Sequence, residues 1–367
     1  MSAAFFTCAL SIIHIFSLSA AFLSTRTTER LCNPQKPLPS LEDENNCGII
    51  LSDLSKTEAN NSTDDALLGA LCTFTPSLDA TRIFHGRGGF YPGCEHLTVD
   101  WYPPVVVITS FESVDAGACT RWEHALQQRW VDLGRTDPLT WAYQDRSISP
   151  AQTELMSGQI PDPHVVTENG NQYVVQILKG QNHGLFLDMA KGREWVQQNA
   201  LGRNILNMFA YSCSFSIAAL RGGASSVVNI DMNQGAIKLG QRNHELNRLD
   251  RATFLKHDIF KSWGKLKRYG PYDLIICDPP SYQKGSFVAK NDYAMVIRRL
   301  PSLLNPGGYA LLCLNAPELD TSWLMNLVEE VAPDLLFLER MKNPDTFPVA
   351  DHERALKVLL FQLRNFS

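Results

Sequence analysis

Three observations predict an α/β fold: a doubly wound, seven-stranded sheet preceded by a smaller α+β domain. Beyond Asn199, strand-length apolar runs alternate with helix-length stretches, which implies a parallel sheet covered on both faces. The last two runs, 335–341 and 356–363, have no helix-length segment between them and predict a closing antiparallel pair. Before Asn199 that alternation is missing, and Asn169-Gly170 between strands at 165–168 and 173–178 is a hairpin signal. The expected organisation is a hydrophobic leader at 1–23, a transit-like or unstructured linker at 24–80, the α+β domain at 81–188 and the α/β domain at 189–367.

Composition narrows the function. The 367 residues are 44% hydrophobic and 19% charged, which is ordinary for a globular chain with a sizeable core. Residues 1–80 carry four basic and nine acidic residues, so the net charge of −5 belongs to them and the rest is neutral. Any attraction to a polyanion must then be local. The nine cysteines form no C-x-x-C pair and no cluster with histidine, so reduced thiols are expected, with no metal and no disulfide framework.

Residues 3–23 carry no charge and end in Ser19, Ala20 and Ala21 before Phe22, the pattern of a secretory h-region with a small-residue cleavage site. A membrane anchor is the alternative for such a run. Cleavage leaves no stable membrane association in the mature form. Ser24, Thr25, Arg26, Thr27, Thr28 and Arg30 follow, so the leader resembles the bipartite plastid-targeting leader of algae with secondary plastids. The secretory pathway, or the cytoplasm after a later start, are the alternatives. Asn60-Asn61-Ser62-Thr63 holds two sequons that matter if the protein stays in the secretory path.

In the α+β domain, strands are expected at 97–102 and 105–111, split by Pro103-Pro104, with a helix at 118–131 whose stripe is Trp122, Ala125, Leu126 and Trp130. In the α/β domain, strands are expected at 205–210, 227–231, 253–258, 274–278 and 309–315, and helices at 214–222, 233–247, 291–304 and 320–332. Ligands of such a sheet lie at the carboxyl ends of its strands. The first strand runs into Asn207, Phe209, Ala210, Tyr211 and Ser212, a turn whose backbone N–H groups suit a carboxylate. It lacks the glycines of a dinucleotide fingerprint, which argues against NAD. The second ends in Asp231, placed to accept from two ribose hydroxyls. At the third, Asp258 suits an adenine amine, and neighbouring His257 reads as a surface or packing residue. The fourth ends in Asp278-Pro279-Pro280-Ser281-Tyr282, where carboxylate and carbonyl oxygens face a flat amine and two prolines remove competing N–H donors. Four acids or amides on one edge, in order, match an S-adenosylmethionine (SAM) site.

With these residues in place, the stretch 165–363 resembles the bacterial large-subunit rRNA methyltransferases that write 5-methylcytosine or N-methylguanine on a Rossmann-like class I sheet. The matching pieces are Gln181-Asn182-His183-Gly184-Leu185-Phe186-Leu187-Asp188, Leu206-Asn207-Met208-Phe209-Ala210-Tyr211-Ser212, Asn243-His244-Glu245-Leu246-Asn247 and Asp278-Pro279-Pro280-Ser281-Tyr282. The resemblance implies a cofactor lid at Phe186 and Asp188, and residues 82–180 look like the family's central α+β domain without its N-terminal RNA-binding domain. Cys213-Ser214 stand where glycines are usual, Ala190 where an arginine is usual, and Asn315 where 5-methylcytosine members carry a nucleophilic cysteine.

Without that nucleophile the expected reaction is SAM-dependent methylation of a base nitrogen in rRNA. The turned-out base stacks on Tyr282, and its amine is bound by Asp278 and the Pro279 carbonyl. The rivals are cytosine C5 methylation through Cys313, methylation of a protein side-chain amide, and an inactive RNA-binding module. An RNA path is expected at 256–299, where Lys256, Lys261, Lys265, Lys267, Arg268, Lys284, Lys290, Arg298 and Arg299 are interleaved with Trp263, Tyr269, Tyr272, Phe287 and Tyr293.

Overall fold

The computed structural model describes residues 64–283 and 287–365, without the side chains of Tyr282 and Gln283. The leader, the sequons and Lys284 lie outside the described residues. Both sheets belong to one unit, Glu58–Ser367.

The chain enters through α1 (Asp65–Thr73). This helix falls in the segment expected as linker, because two turns are too short to show a period. Leu67 and Leu71, one turn apart on one face, are fully buried with Trp122 and Leu126. Asp64, just before it, accepts from the Trp122 indole at 2.6 Å, pinning the helix to the small core. β1 (Thr81–His85), β2 (Leu97–Tyr102) and β3 (Val105–Ser110) form a meander, and α2 (Ala118–Asp132) crosses over to β4 (Thr140–Asp145), which lies parallel to β3. β5 (Gln152–Ser157) completes a sheet of order β1-β2-β3-β4-β5. The first, fourth and fifth strands were not legible in the pattern, since β5 is half exposed and β4 carries polar Gln144 inside.

β6 (His164–Glu168) and β7 (Asn171–Val175) make the expected hairpin. Asn169 and Gly170 have φ of 54° and 75°, the left-handed pair that a two-residue turn requires. α3 (Ala190–Asn199) then leads into the larger sheet. β8 (Asn204–Met208), α4 (Ser214–Arg221), β9 (Ser226–Asp231), α5 (Gln234–Asn247) and β10 (Ala252–Lys256) follow in strict alternation. α6 (Trp263–Tyr269), β11 (Tyr272–Cys277), the short pair β12 (Tyr282–Gln283) and β13 (Phe287–Val288), α7 (Ala289–Ile297) and β14 (Leu304–Leu314) continue it. α8 (Thr321–Val331), β15 (Leu335–Arg340) and β16 (Lys357–Leu363) close the chain.

The sheet order is β10-β9-β8-β11-β14-β16-β15, with β16 antiparallel to both neighbours. This is the predicted α/β class, a Rossmann-like sheet with a final antiparallel pair. Strand order reverses between β8 and β11, so the crevice for a ligand opens at their carboxyl ends. Among the described residues, no helix is long and apolar enough to cross a membrane.

The expected RNA path loses most of its aromatics. Tyr272, Phe287 and Tyr293 are fully buried in the main core, because they fall on inward positions of β11, β13 and α7. Trp263 and Tyr269 remain at least partly accessible.

Candidate active site

The first loop, after β8, is built from residues in conformations that glycine usually supplies. Phe209, Tyr211 and Cys213 have φ of 55°, 44° and 59°. Each left-handed non-glycine residue costs about 1–2 kcal/mol, so surrounding bonds must hold the loop. Ala210 N donates to Ile230 O at 3.1 Å, Cys213 N to Ala210 O at 2.7 Å, and Tyr211 N to Asp231 Oδ2 at 2.9 Å. Phe209 packs edge-on to Phe287, and Tyr211 packs against Phe186 with ring centroids 5.3 Å apart. Gly240 of α5 makes room for Cys213: a Cβ there would sit 2.3 Å from its sulfur. The usual glycines are absent, but their backbone path is kept.

A buried hydrogen-bond chain sets the polarity of Asn207. His244 Nδ1 lies 2.7 Å from Gly240 O, and since a carbonyl only accepts, that nitrogen carries the proton. His244 Nε2 then accepts from Ser216 Oγ at 2.9 Å. Ser216 Oγ accepts from Asn229 Nδ2 at 3.0 Å, and Asn229 Oδ1 accepts from Asn207 Nδ2 at 2.9 Å. Asn207 is left with its carbonyl oxygen for the cavity. Burial lowers the His244 pKa, which keeps the ring neutral and this polarity fixed. The flanking Asn243 and Asn247 clamp β7: Asn243 Oδ1 accepts from Val174 N at 2.9 Å and Asn247 Oδ1 from Gln172 N at 3.0 Å.

These elements enclose a cavity of about 520 Å³, inside the range of about 300–1,000 Å³ usual for small-molecule sites. It is lined by Phe186, Asp188, Asn207, Phe209, Ala210, Tyr211, Asp231, Asp258, Asp278 and Pro279, all singled out in the sequence. Ser212 is buried in the same turn, and its carbonyl accepts from Asn243 Nδ2 at 3.0 Å. The backbone of Tyr282 begins β12, and its side chain lies outside the described part.

Asp231 is not a helix cap. Its Oδ1 accepts from Asn233 N at 2.8 Å, and Asn233 itself caps α5 by accepting from Gly235 N and Ala236 N. Asp258 accepts from Phe260 N at 2.9 Å, with Lys261 Nζ 3.4 Å away. His257 is exposed, as expected of a surface residue, at the rim of the cavity, and lies 2.7 Å from Lys265 Nζ. Arg193, Met189 and Asn315 line it as well. Arg193 was missed because its burial comes from Glu168 across the hairpin, a partner 25 positions away that no local pattern signals.

The inner end is acidic. Arg193 is already matched by Glu168 through two 2.6 Å bonds and donates to Phe186 O at 2.8 Å. Among the described residues, neither Asp188 nor Asp278 has an ion-pair partner. Burial first, then Asp188, push the Asp278 carboxyl up to about 7, with Arg193 opposing. Burial raises Asp188 as well, against the pull of Arg82 and Arg193. Two carboxyls without counter-ions suit a cationic ligand.

The lining matches SAM part by part. Asn207 offers an acceptor for its ammonium, Asp231 for the ribose hydroxyls, and Asp258 for the adenine amine, with Ile259 and Phe260 beside the ring. Among the described residues, no group of three or more His, Cys, Asp or Glu is placed to hold a metal ion.

Comparison with known proteins agrees with this geometry. Residues 81–362 match the model of the S-adenosylmethionine-dependent methyltransferase family. The ribosomal RNA large subunit methyltransferase I of Tolumonas auensis is 30% identical over 286 residues, covering 74% of this chain and 71% of that protein. The protein of that name from Aeromonas hydrophila is 32% identical over 253 residues, covering 66% and 63%. A methyltransferase solved in complex with SAH superposes with a TM-score of 0.69 at 25% identity, over 78% of this chain and 76% of that one. A SAM-dependent methyltransferase from Streptococcus mutans shares the fold with a TM-score of 0.72 at 23% identity, over 84% and 83%. Fold, cavity and family model converge: the chain belongs to the S-adenosylmethionine-dependent methyltransferase family.

Proposed function

We propose that this enzyme methylates a base nitrogen of large-subunit rRNA. The observation that carries the reading is the substrate edge of the cavity: Asp278, Pro279 and Asn315 line it together, and no cysteine of the described residues does. Cys313 lies in β14, two residues before Asn315, and is fully buried in the core cluster that holds Ile205, Leu274 and Ile276. Burial pushes its thiol well above the usual range. A covalent route to cytosine C5 needs a thiolate within reach of the base. The names of the relatives support rRNA as the acceptor.

When bound, SAM supplies an electrophilic methyl group on a positively charged sulfur. The chain contributes by positioning. The Asp278 carboxylate and the Pro279 carbonyl accept from the exocyclic amine and hold the nitrogen lone pair in line. Tyr282 offers a stacking surface for the base. Asp278, with a pKa near 7, is suited to take the proton that the amine releases. Ser281 Oγ donates to Asn315 O and ties the Pro-Pro turn to the end of β14.

The test is transfer from labelled SAM to intact large ribosomal subunits, which present rRNA and protein together, with the product then treated with ribonuclease. Label lost on ribonuclease treatment is expected; label that survives on protein would point to a side-chain amide. With the signal-like run at 3–23 and the transit-like stretch after it, the proposal extends to plastid rRNA. A fluorescent fusion of residues 1–80 found outside plastids would remove that extension.

A further inference from the structure

Arg87, Phe111 and Arg146 meet at one edge of the small sheet. β1 and β3 are both antiparallel to β2, and β4 is parallel to β3, so β1, β3 and β4 run the same way. Each of the three residues follows the carboxyl end of one of these strands. The guanidinium carbons of Arg87 and Arg146 lie 4.1 and 4.7 Å from the centroid of the same Phe111 ring.

Among the described residues neither arginine forms an ion pair, whereas neighbouring Arg82 is matched by both oxygens of Asp100 at 2.8 and 2.9 Å. Asp145, beside Arg146, has Oδ1 taken by Ser147 N and Oγ. Burial and then Arg82 lower the Arg87 pKa, with Asp188 opposing, while burial and then Arg87 lower that of Arg146. An anion bridging the pair would relieve the repulsion.

The cluster stands beside the cofactor cavity, not in it. None of its three residues lines the cavity. Gln144, two positions before Arg146, donates to Gly180 O and Gln181 O at 3.5 and 3.4 Å, and Gln181 lines the cavity. Asp188, which lines the cavity, is among the charges that act on Arg87.

We propose that Arg87 and Arg146, splayed on Phe111, clamp a phosphodiester of the RNA strand that carries the target base. The proposal rests on the rRNA reading above. Guanidinium forks match phosphate oxygens in pairs, which a single lysine does not. A neutral folded part needs such a local site, and the buried Tyr272, Phe287 and Tyr293 leave the other basic surface poor in aromatics.

The experiment is filter binding of protein-free large-subunit rRNA to the full chain over a series of salt concentrations. Arg87→Gln with Arg146→Gln should weaken binding about tenfold, and the salt slope should fall by about 0.7–0.9 per lost contact. SAM affinity by titration calorimetry should stay at the wild-type value. Phe111→Leu keeps both charges and should weaken binding with a smaller change of slope. If the double variant loses thermal stability, Arg146→Gln alone, which removes a like-charge pair, carries the same test. A folded variant with wild-type affinity and slope overturns the clamp. Displacement of rRNA by submillimolar inorganic phosphate would make this a free-phosphate site and also overturn it. A wild-type chain that binds SAM but neither binds nor methylates rRNA overturns the proposed function itself, whereas wild-type methylation retained in full by the double variant overturns the clamp alone.

Discussion

Asp278→Asn separates folding from binding at the acidic end of the cavity. Burial and then the neighbouring Asp188 push this carboxyl up from its ordinary 3.8 to about 7. Between these values the folded chain holds a proton that the unfolded chain has lost, so stability falls as pH rises through that window. By pH 8 the ionised group costs the protein on the order of 1–2 kcal/mol, less than the full shift would convert to, because solvent reaches this half-buried side chain. Asparagine keeps the shape and removes the charge. The variant should therefore melt higher than wild type at pH 8 and close to wild type at pH 4. A cationic ligand works the other way, since it favours the ionised carboxyl. SAM affinity of the wild type should tighten as pH rises from about 6 to 8, with a limiting slope of about tenfold per unit below pH 7. The variant should show a flatter profile, with Asp188, also raised by burial, keeping a share. Methyl transfer should drop by about 10²-fold or more, as the amine loses its charged acceptor. Circular dichroism melts at the two pH values, calorimetry across the range and turnover with labelled SAM read all three. A variant with no gain in melting temperature at pH 8 and an unchanged pH profile of SAM binding would refute the reasoning.

Three further outcomes follow from the packing around the loop. Ser216→Ala strands His244 Nε2 and Asn229 Nδ2, so it should cost about 1–3 kcal/mol in denaturant unfolding and raise the KM for SAM while kcat holds. Gly240→Ala drives a methyl into the Cys213 sulfur, at a cost of about 1–3 kcal/mol; adding Cys213→Gly should recover much of that and of SAM binding, and strictly additive effects would count against the contact. Cys313→Ala should retain the methylation rate, with the loss confined to stability, about 1 kcal/mol for a small buried group; an inactive but folded variant would restore the covalent route.

The larger sheet was legible because its central strands β8, β9, β11 and β14 are largely buried on both faces and its helices are amphipathic, two patterns that survive in a single sequence. The predicted strands at 227–231 and 335–341 differ from β9 and β15 by one residue at an end. The small sheet was harder. β1 and β5 are partly exposed, and α1 is short enough that Leu67 and Leu71 make its entire buried stripe. At the cavity, strand-end residues could be read off because topology places strand ends together. The left-handed φ of Phe209, Tyr211 and Cys213 was not legible, because no glycine marks those positions. Arg193, Met189 and the Arg87–Phe111–Arg146 cluster arise from contacts between distant segments. His244 was part of a recognised segment, but its role in orienting Asn207 required the chain of donors and acceptors in space.

The identity of the methylated atom tests the central claim most directly. Large-subunit rRNA incubated with the enzyme and deuteromethyl SAM, digested to nucleosides and analysed by mass spectrometry, should carry the label on a base nitrogen. Label on C5 of cytidine, or on no nucleoside while the enzyme binds SAM, would contradict it.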